Sequence, residues 1–262
     1  MTWTCRQWTL DLSRTRIMGI VNLTPDSFSD GGRCSRLEAA RSQVRTLLAD
    51  GADLIDLGAE STRPGAHPLS WQTEWARLEP ILSVRAREWP DAVFSVDTYH
   101  PETARRALDA GVAVLNCVRA DSVPAFIDLA RETGCGLVLP CPMPEDFDAL
   151  KALNPPVEQT VIDPMIGFSA SREEDLARLG ALRRLAQCAP VLTGVSRKRL
   201  IGVLTGADAP QYRLGGSVGA ALWCAFNGAS VLRVHDVKET KQALSVVTAL
   251  AAAAEQTGGR PI

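Results

Sequence analysis

The sequence predicts a (β/α)8 barrel, the TIM-barrel fold class, with its fifth βα unit shortened and a small hairpin or ribbon at the N-terminus. Three observations carry that expectation: eight short apolar segments recur from Ile17 onward, amphipathic helical stretches separate them, and polar residues close segment after segment. A chain of 262 residues, 46% hydrophobic and 22% charged, can bury a large core without staples, so residues 1–262 are expected to form a single domain. An open doubly wound sheet is the alternative, but no GxGxxG follows the first strand.

In chain order, residues 3–12 (TWTCRQWTLD) alternate in the manner of a hairpin or ribbon. The first barrel strand is expected at 17–21, and Asn22 stands where that strand delivers a side chain to a site. In the loop that follows, Pro25 fixes one backbone angle and Gly31-Gly32 free the far end, which is how a substrate lid is built. Further strands are expected at 53–57, 92–96, 112–115, 136–139, 160–162, 190–193 and 230–234. Helices are expected at 37–49, 71–89, 101–110 with Pro101 in the first turn, 172–187 and 238–254. Gly51, Gly111 and Gly228 stop helices before the next strand, and the 258–262 tail is expected to fray. Between the fifth and sixth strands there is room only for a one- or two-turn helix at 145–153. That predicts a gap on one side of the barrel, with the site there more open to water unless Met143 and its flanking prolines, or a partner subunit, cover it.

A net charge of −2 and a pI near 6.0 offer no basic face for nucleic acid. No apolar run reaches the length of a membrane span and the first ten residues lack a signal core, so a cytoplasmic protein with no membrane partner is expected. The cysteines at 5, 34, 117, 135, 141, 188 and 224 form no CxxC pair and are expected to be free thiols rather than a disulfide frame or a zinc site.

The active site of such a barrel lies at the C-terminal ends of its strands. Here those positions hold Asn22, Glu60-Ser61-Thr62-Arg63, Asp97, Asn116, Asp163, Ser196-Arg197-Lys198 and Arg233-Val234-His235-Asp236. Each alone reads as a helix cap or a loop ion pair. Together they form two chemical halves: Asp97, Asn116 and Asp163 suit the hydrogen-bonding edge of a flat heterocycle, while Arg63, Arg233 and His235 suit an anion such as pyrophosphate.

The stretches NLTPDSFSDGG (22–32), GADLIDLGAESTRPGA (51–66), SVDT (95–98), DPMIGF (163–168), GVSRKRLIG (194–202) and RVHDVKET (233–240) resemble the dihydropteroate synthases, pterin-binding enzymes of folate synthesis. The resemblance covers nearly the whole chain. It implies condensation of 6-hydroxymethyl-7,8-dihydropterin diphosphate with 4-aminobenzoate to give 7,8-dihydropteroate and pyrophosphate, with Mg2+ as cofactor and a homodimer as the assembly. Transferred by motif, Asp97, Asn116, Asp163 and Lys198 would hold the pterin, with Arg233 stacked on its face. Asn22 would meet the magnesium, and Thr62, Arg63 and His235 the pyrophosphate. Phe28, Pro64, Phe168 and Arg199 would surround the aminobenzoate. Lys198, Arg63, His235 and Asp97 would carry the catalytic step. The chain departs from the family pattern at Cys117 (usually Asp), at Met165 (commonly Gly), at Ser169-Ala170-Ser171 (usually Gly-Lys-Thr), and in the short 139–164 segment, which lacks a His-Met loop. A non-catalytic pterin-binding paralogue and a methyltetrahydropterin-dependent methyltransferase are the competing expectations; the 22–32 and 61–66 loops weigh against the methyltransferase.

Overall fold

A computed structural model describes residues 1–24, 33–60 and 68–257. Eight parallel strands close into a barrel: β3 (Arg16–Asn22), β4 (Leu54–Gly58), β5 (Val93–Asp97), β6 (Val114–Asn116), β7 (Gly136–Pro140), β8 (Thr160–Asp163), β9 (Val191–Thr193) and β10 (Ala229–Val234), with β10 pairing back to β3. Each expected strand is present, shifted by two residues at most.

The N-terminal ribbon is an antiparallel hairpin, β1 (Thr2–Cys5) and β2 (Trp8–Asp11). It serves as a floor. Trp3 and Cys5 are fully buried against the apolar lower layer of the barrel, which includes Met18, Leu54, Val93, Val114, Val138, Val161, Leu192 and Val231. The Trp3 indole N–H donates to the Gln159 carbonyl at 2.7 Å, so burying the ring leaves no donor unpaired. Gly136 is required beneath it, because a Cβ there would lie 2.5 Å from Cys5 Sγ.

Side chains alternate across a strand, so the residues two and four positions above that apolar layer also face the barrel axis. On β4 the sequence Leu54, Asp56, Gly58 follows this inward row, on β5 Val93, Ser95, Asp97, on β6 Val114 and Asn116, on β8 Val161 and Asp163, and on β10 Val231 and Arg233. Alternation alone therefore carries polar groups from five strands to one end of the barrel. The opposite row, with Ile55, Leu57, Phe94, Val96 and Leu115, packs under the helices.

Those helices are α1 (Arg33–Ala49), α2 (Trp71–Glu88), α3 (Pro101–Asp109), α4 (Val123–Thr133), α5 (Phe147–Ala152), α6 (Arg172–Gly180), α7 (Leu182–Leu185), α8 (Arg199–Thr205), α9 (Leu214–Phe226) and α10 (Val237–Gln256). The helix expected over 172–187 is split after Gly180, the poorest helix former in the run. Helices α4, α8 and α9 complete the ring. The β7-to-β8 crossover is short as expected, with a 3-10 turn at Pro144–Asp146 and the six-residue α5. The expected gap is not found at the strand ends. Strands β7 and β8 pair from Leu137↔Thr160 to Pro140↔Asp163, the Cys141 N–H donates to the Asp163 carbonyl at 2.8 Å, and Leu150 of α5 is buried in the core. Two turns of helix suffice because a single apolar residue, backed by Phe147, fills the place of a longer face.

Candidate active site

At the C-terminal mouth Arg233 is the hub. Its Nε lies 2.6 Å from Asp56 Oδ2 and its Nη2 2.8 Å from Asp97 Oδ2. The Asn116 amide donates to the same Asp56 oxygen at 3.4 Å. Asp56 Oδ1 and Asn116 Oδ1 are buried and have no hydrogen-bond partner, an unusual cost that a bound polar ring can offset. Asp56 is the member of this buried polar group that motif matching missed. A carboxylate between Ile55 and Leu57 in an apolar strand was the signal, since the inward row sends it to the axis rather than to solvent.

Asp163 accepts the Met165 N–H at 2.7 Å through Oδ1. Lys198 caps the loop after β9, donates to the Ile166 carbonyl, and sits 4.7 Å from the centre of the Phe168 ring. The loop is fixed from behind: the Arg197 N–H donates to Ser217 Oγ at 2.9 Å, the Arg213 guanidinium to the Arg197 carbonyl at 3.0 Å, and Arg197 pairs with Asp236. Gly167 leaves room for the lysine stem, because a Cβ there would lie 2.6 Å from Lys198 Cδ. Phe168 is 41% exposed on the rim, and Arg199 opens α8 as an exposed side chain apart from the buried group. His235 follows β10 with Nδ1 3.1 Å from Ser196 Oγ. Phe28, Thr62, Arg63 and Pro64 lie outside the described residues.

The electrostatics follow from burial. Desolvation pushes the Asp97 carboxyl up to about 7 against the pull of Arg233, and Asp56 and Glu74 add to the rise. Asp163 is raised for the same reason, with Lys198 opposing. Lys198 is pushed down to about 8 by desolvation, partly offset by Asp163. Arg233 stays firmly charged between Asp56 and Asp97. His235 is lowered to about 4 by desolvation and by Arg233 and Arg197, so its imidazole is neutral at pH 7. Asn116 and Asp163 are 2% and 8% exposed, so the end of the barrel beside the short crossover is not opened to water.

The family model described as pterin binding enzyme matches residues 18–161 and 144–235. A dihydropteroate synthase of Escherichia coli strain K12 is 36% identical over 94% of this chain and 95% of its own length. One from Streptococcus pyogenes serotype M6 is 37% identical over 89% and 95%. The chain belongs to the dihydropteroate synthase family. Among solved structures, the dihydropteroate synthase of Xanthomonas albilineans with 4-aminobenzoic acid superimposes with a TM-score of 0.86 at 39% identity, covering 96% of this chain and 98% of its own. The Xanthomonas albilineans enzyme in complex with 7,8-dihydropteroate gives 0.83 at 37%, covering 93% and 96%. Among the described residues no helix is long and apolar enough to cross a membrane.

Whether the residues present suit a magnesium ion turns on Asn22. Its Oδ1 and Asp97 Oδ2 lie 3.8 and 4.0 Å from the point where a Cβ on Gly58 would stand, so the missing side chain at 58 leaves a cradle between two oxygens. Asn22 Oδ1 is a hard neutral oxygen on a half-buried side chain at the end of β3, a donor that fits Mg2+, which keeps most of its waters and binds proteins through one or two oxygens plus substrate phosphates.

Proposed function

We propose that Asp97, Asn116 and Asp163 hold the edge of the pterin of 6-hydroxymethyl-7,8-dihydropterin diphosphate, that Lys198 donates to its carbonyl and that Arg233 covers its face. The unpartnered Asn116 Oδ1, buried beside Arg233 and Asp56, is the observation that carries this placement. A flat ring bearing amino and NH donors satisfies that acceptor and the carboxylates together. During reaction the bond from the pterin methylene carbon to the diphosphate oxygen breaks and the bond from that carbon to the nitrogen of 4-aminobenzoate forms. The electron pair leaves with pyrophosphate, and the amine gives up one proton to solvent. Ionised Asp97 and Asp163 favour positive charge developing on the pterin, while Arg63, Thr62 and the uncharged His235 donate to the departing anion. Magnesium, held by Asn22, supplies charge neutralisation of the diphosphate when bound. Phe28, Pro64, Phe168 and Arg199 border the aminobenzoate; Phe168 and Arg199 stand on the exposed rim, where a second substrate would enter.

The same reading takes the chain as a one-domain cytoplasmic homodimer. Support for the dimer is an apolar groove of about 280 Å³ between α6 and α9, lined by Leu176, Leu179, Gly180, Ala220 and Trp223. Leu176 and Trp223 are 41% and 45% exposed, and Gly180, Gly215 and Gly219 carry open space where a Cβ would stand. A large ring beside a flat glycine surface suits a second copy, and sedimentation over a concentration range with Trp223→Glu tests it.

Calorimetry with a 6-hydroxymethylpterin analogue tests the placement. Wild type should bind, and Asn116→Leu and Asp163→Asn should each weaken binding about tenfold or more. Unchanged affinity in both would remove the pterin from the inward row. Binding of the analogue without turnover of the diphosphate would instead support the non-catalytic paralogue.

A further inference from the structure

Three buried polar atoms without hydrogen-bond partners come together away from the pterin cradle. They are Glu60 Oε2, Glu74 Oε1 and His100 Nδ1. Glu60 lies two residues past β4, Glu74 in the first turn of α2, and His100 three residues past β5. One ligand atom from each falls within 4.8 Å of the others. Glu74 is fully buried, and its nearest cationic candidate is His100, whose Nδ1 is 3.5 Å from Glu74 Oε2. Among the described residues no lysine or arginine pairs with either carboxylate.

The surroundings hold these groups in place. The Tyr99 hydroxyl donates to Glu60 Oε1 at 2.9 Å, and the Thr98 hydroxyl donates to Glu74 Oε2 at 2.8 Å. Thr98 Oγ1 also accepts the His100 N–H at 3.1 Å, and the Tyr99 and His100 rings lie 4.2 Å apart. The Thr103 hydroxyl stands within hydrogen-bonding range of Glu74 and also reaches the Trp71 carbonyl at 3.5 Å. Outer hydrogen bonds that orient ligands and spare their free lone pairs are the usual support of a metal site. A structural network would be expected to satisfy its own members.

We propose that Glu60, Glu74 and His100 bind a first-row divalent transition cation such as Zn2+. One imidazole nitrogen and two carboxylate oxygens are a donor set that such ions accept, and the nitrogen disfavours Mg2+ and Ca2+. The His100 side chain is 17% exposed, which gives the ion a route in. Because Glu60 follows β4 and Thr98 follows Asp97 at the end of β5, the ion joins the chain just past two neighbouring strands of the barrel. It is separate from the magnesium assigned to Asn22.

The test uses the full chain, stripped with a chelator and titrated with Co2+ and Zn2+. Absorption spectroscopy reads the cobalt environment and elemental analysis the stoichiometry. One ion per chain is expected, with a nitrogen and oxygen ligand spectrum. Affinity should fall about tenfold or more in His100→Ala and in Glu60→Gln and stay unchanged in Asn22→Ala. Thermal melts of the stripped variants show whether each is folded, and His100→Ala, at a partly exposed position, keeps the test open if a carboxylate variant fails. No saturable uptake, a thiolate-to-cobalt band from the cysteines, or full affinity in folded His100→Ala would each overturn the site.

Discussion

Arg233 Nε and Asp56 Oδ2 meet at 2.6 Å, joining the last strand to the second strand of the barrel with β3 between them. The pair is buried, Asp56 completely, and Asp97 competes for the same guanidinium. Two carboxylates thus share one cation, and the excess negative charge is part of why Asp97 holds its proton so high.

Asp56→Asn should therefore act on Asp97 as well as on Arg233. Removing the neighbouring charge lowers the Asp97 value from about 7, so the acid limb of kcat/KM moves to lower pH. The KM for the pterin substrate should rise, since Arg233 loses one of the two partners that aim it. An acid limb that stays in place would show that Asp56 has only a structural role.

The pH profile of wild type should be a narrow bell. Activity rises as Asp97 ionises near 7 and falls as Lys198 loses its proton near 8, since kcat/KM reports the free enzyme. Lys198→Ala should lose most turnover, keep its melting temperature within a few degrees, and lack the alkaline limb. Stability carries the opposite sign. The folded chain binds the Asp97 proton more tightly than the unfolded chain, so stability is lost as pH rises from the ordinary value of 3.8 to about 7. Asp97→Asn should flatten the melting temperature over that window. An equally steep fall in the variant would assign the proton elsewhere.

His235 is neutral well below pH 7, with a value near 4. Protection against thermal unfolding by pyrophosphate should then owe no rise to His235 between pH 8 and pH 5. His235→Gln, which keeps a donor, should retain most protection, and His235→Ala should lose about tenfold in affinity. A steep gain in binding below pH 6.5 that disappears in His235→Gln would mean that the imidazolium is the binding form.

Met165 adopts φ 57°, in the left-handed region, while its N–H is held by Asp163 and its carbonyl accepts from Arg178 at 2.7 Å. The backbone costs roughly 1–2 kcal/mol there for any residue with a Cβ. The side chain is buried, and that contributes roughly 1.5–3 kcal/mol. Met165→Gly should therefore be less stable than wild type but more stable than Met165→Ala, by about 1 kcal/mol in denaturant unfolding. An alanine variant as stable as the glycine variant would contradict a strained backbone.

The barrel was legible because its strands are apolar runs closed by polar residues, a pattern that survives without side-chain detail. Asp97, Asn116 and Asp163 were legible because each stands at the end of such a run. Asp56 was not, since it sits one inward step deeper and reads as an interruption of an apolar strand. The charge state of His235 was hidden as well, because it depends first on burial and then on Arg233 and Arg197 near it in three dimensions. The short crossover was visible as a missing stretch of chain. Its consequence was misjudged, because Phe147 and Leu150 pack where a longer helix would have stood.

The most direct test is a single assay: purified chain, 6-hydroxymethyl-7,8-dihydropterin diphosphate, labelled 4-aminobenzoate and Mg2+, with product separated and counted alongside Asp163→Asn and Lys198→Ala. Labelled dihydropteroate should form in proportion to enzyme and fall by about tenfold or more in each variant. Absence of labelled dihydropteroate from folded, pterin-binding protein would contradict the account.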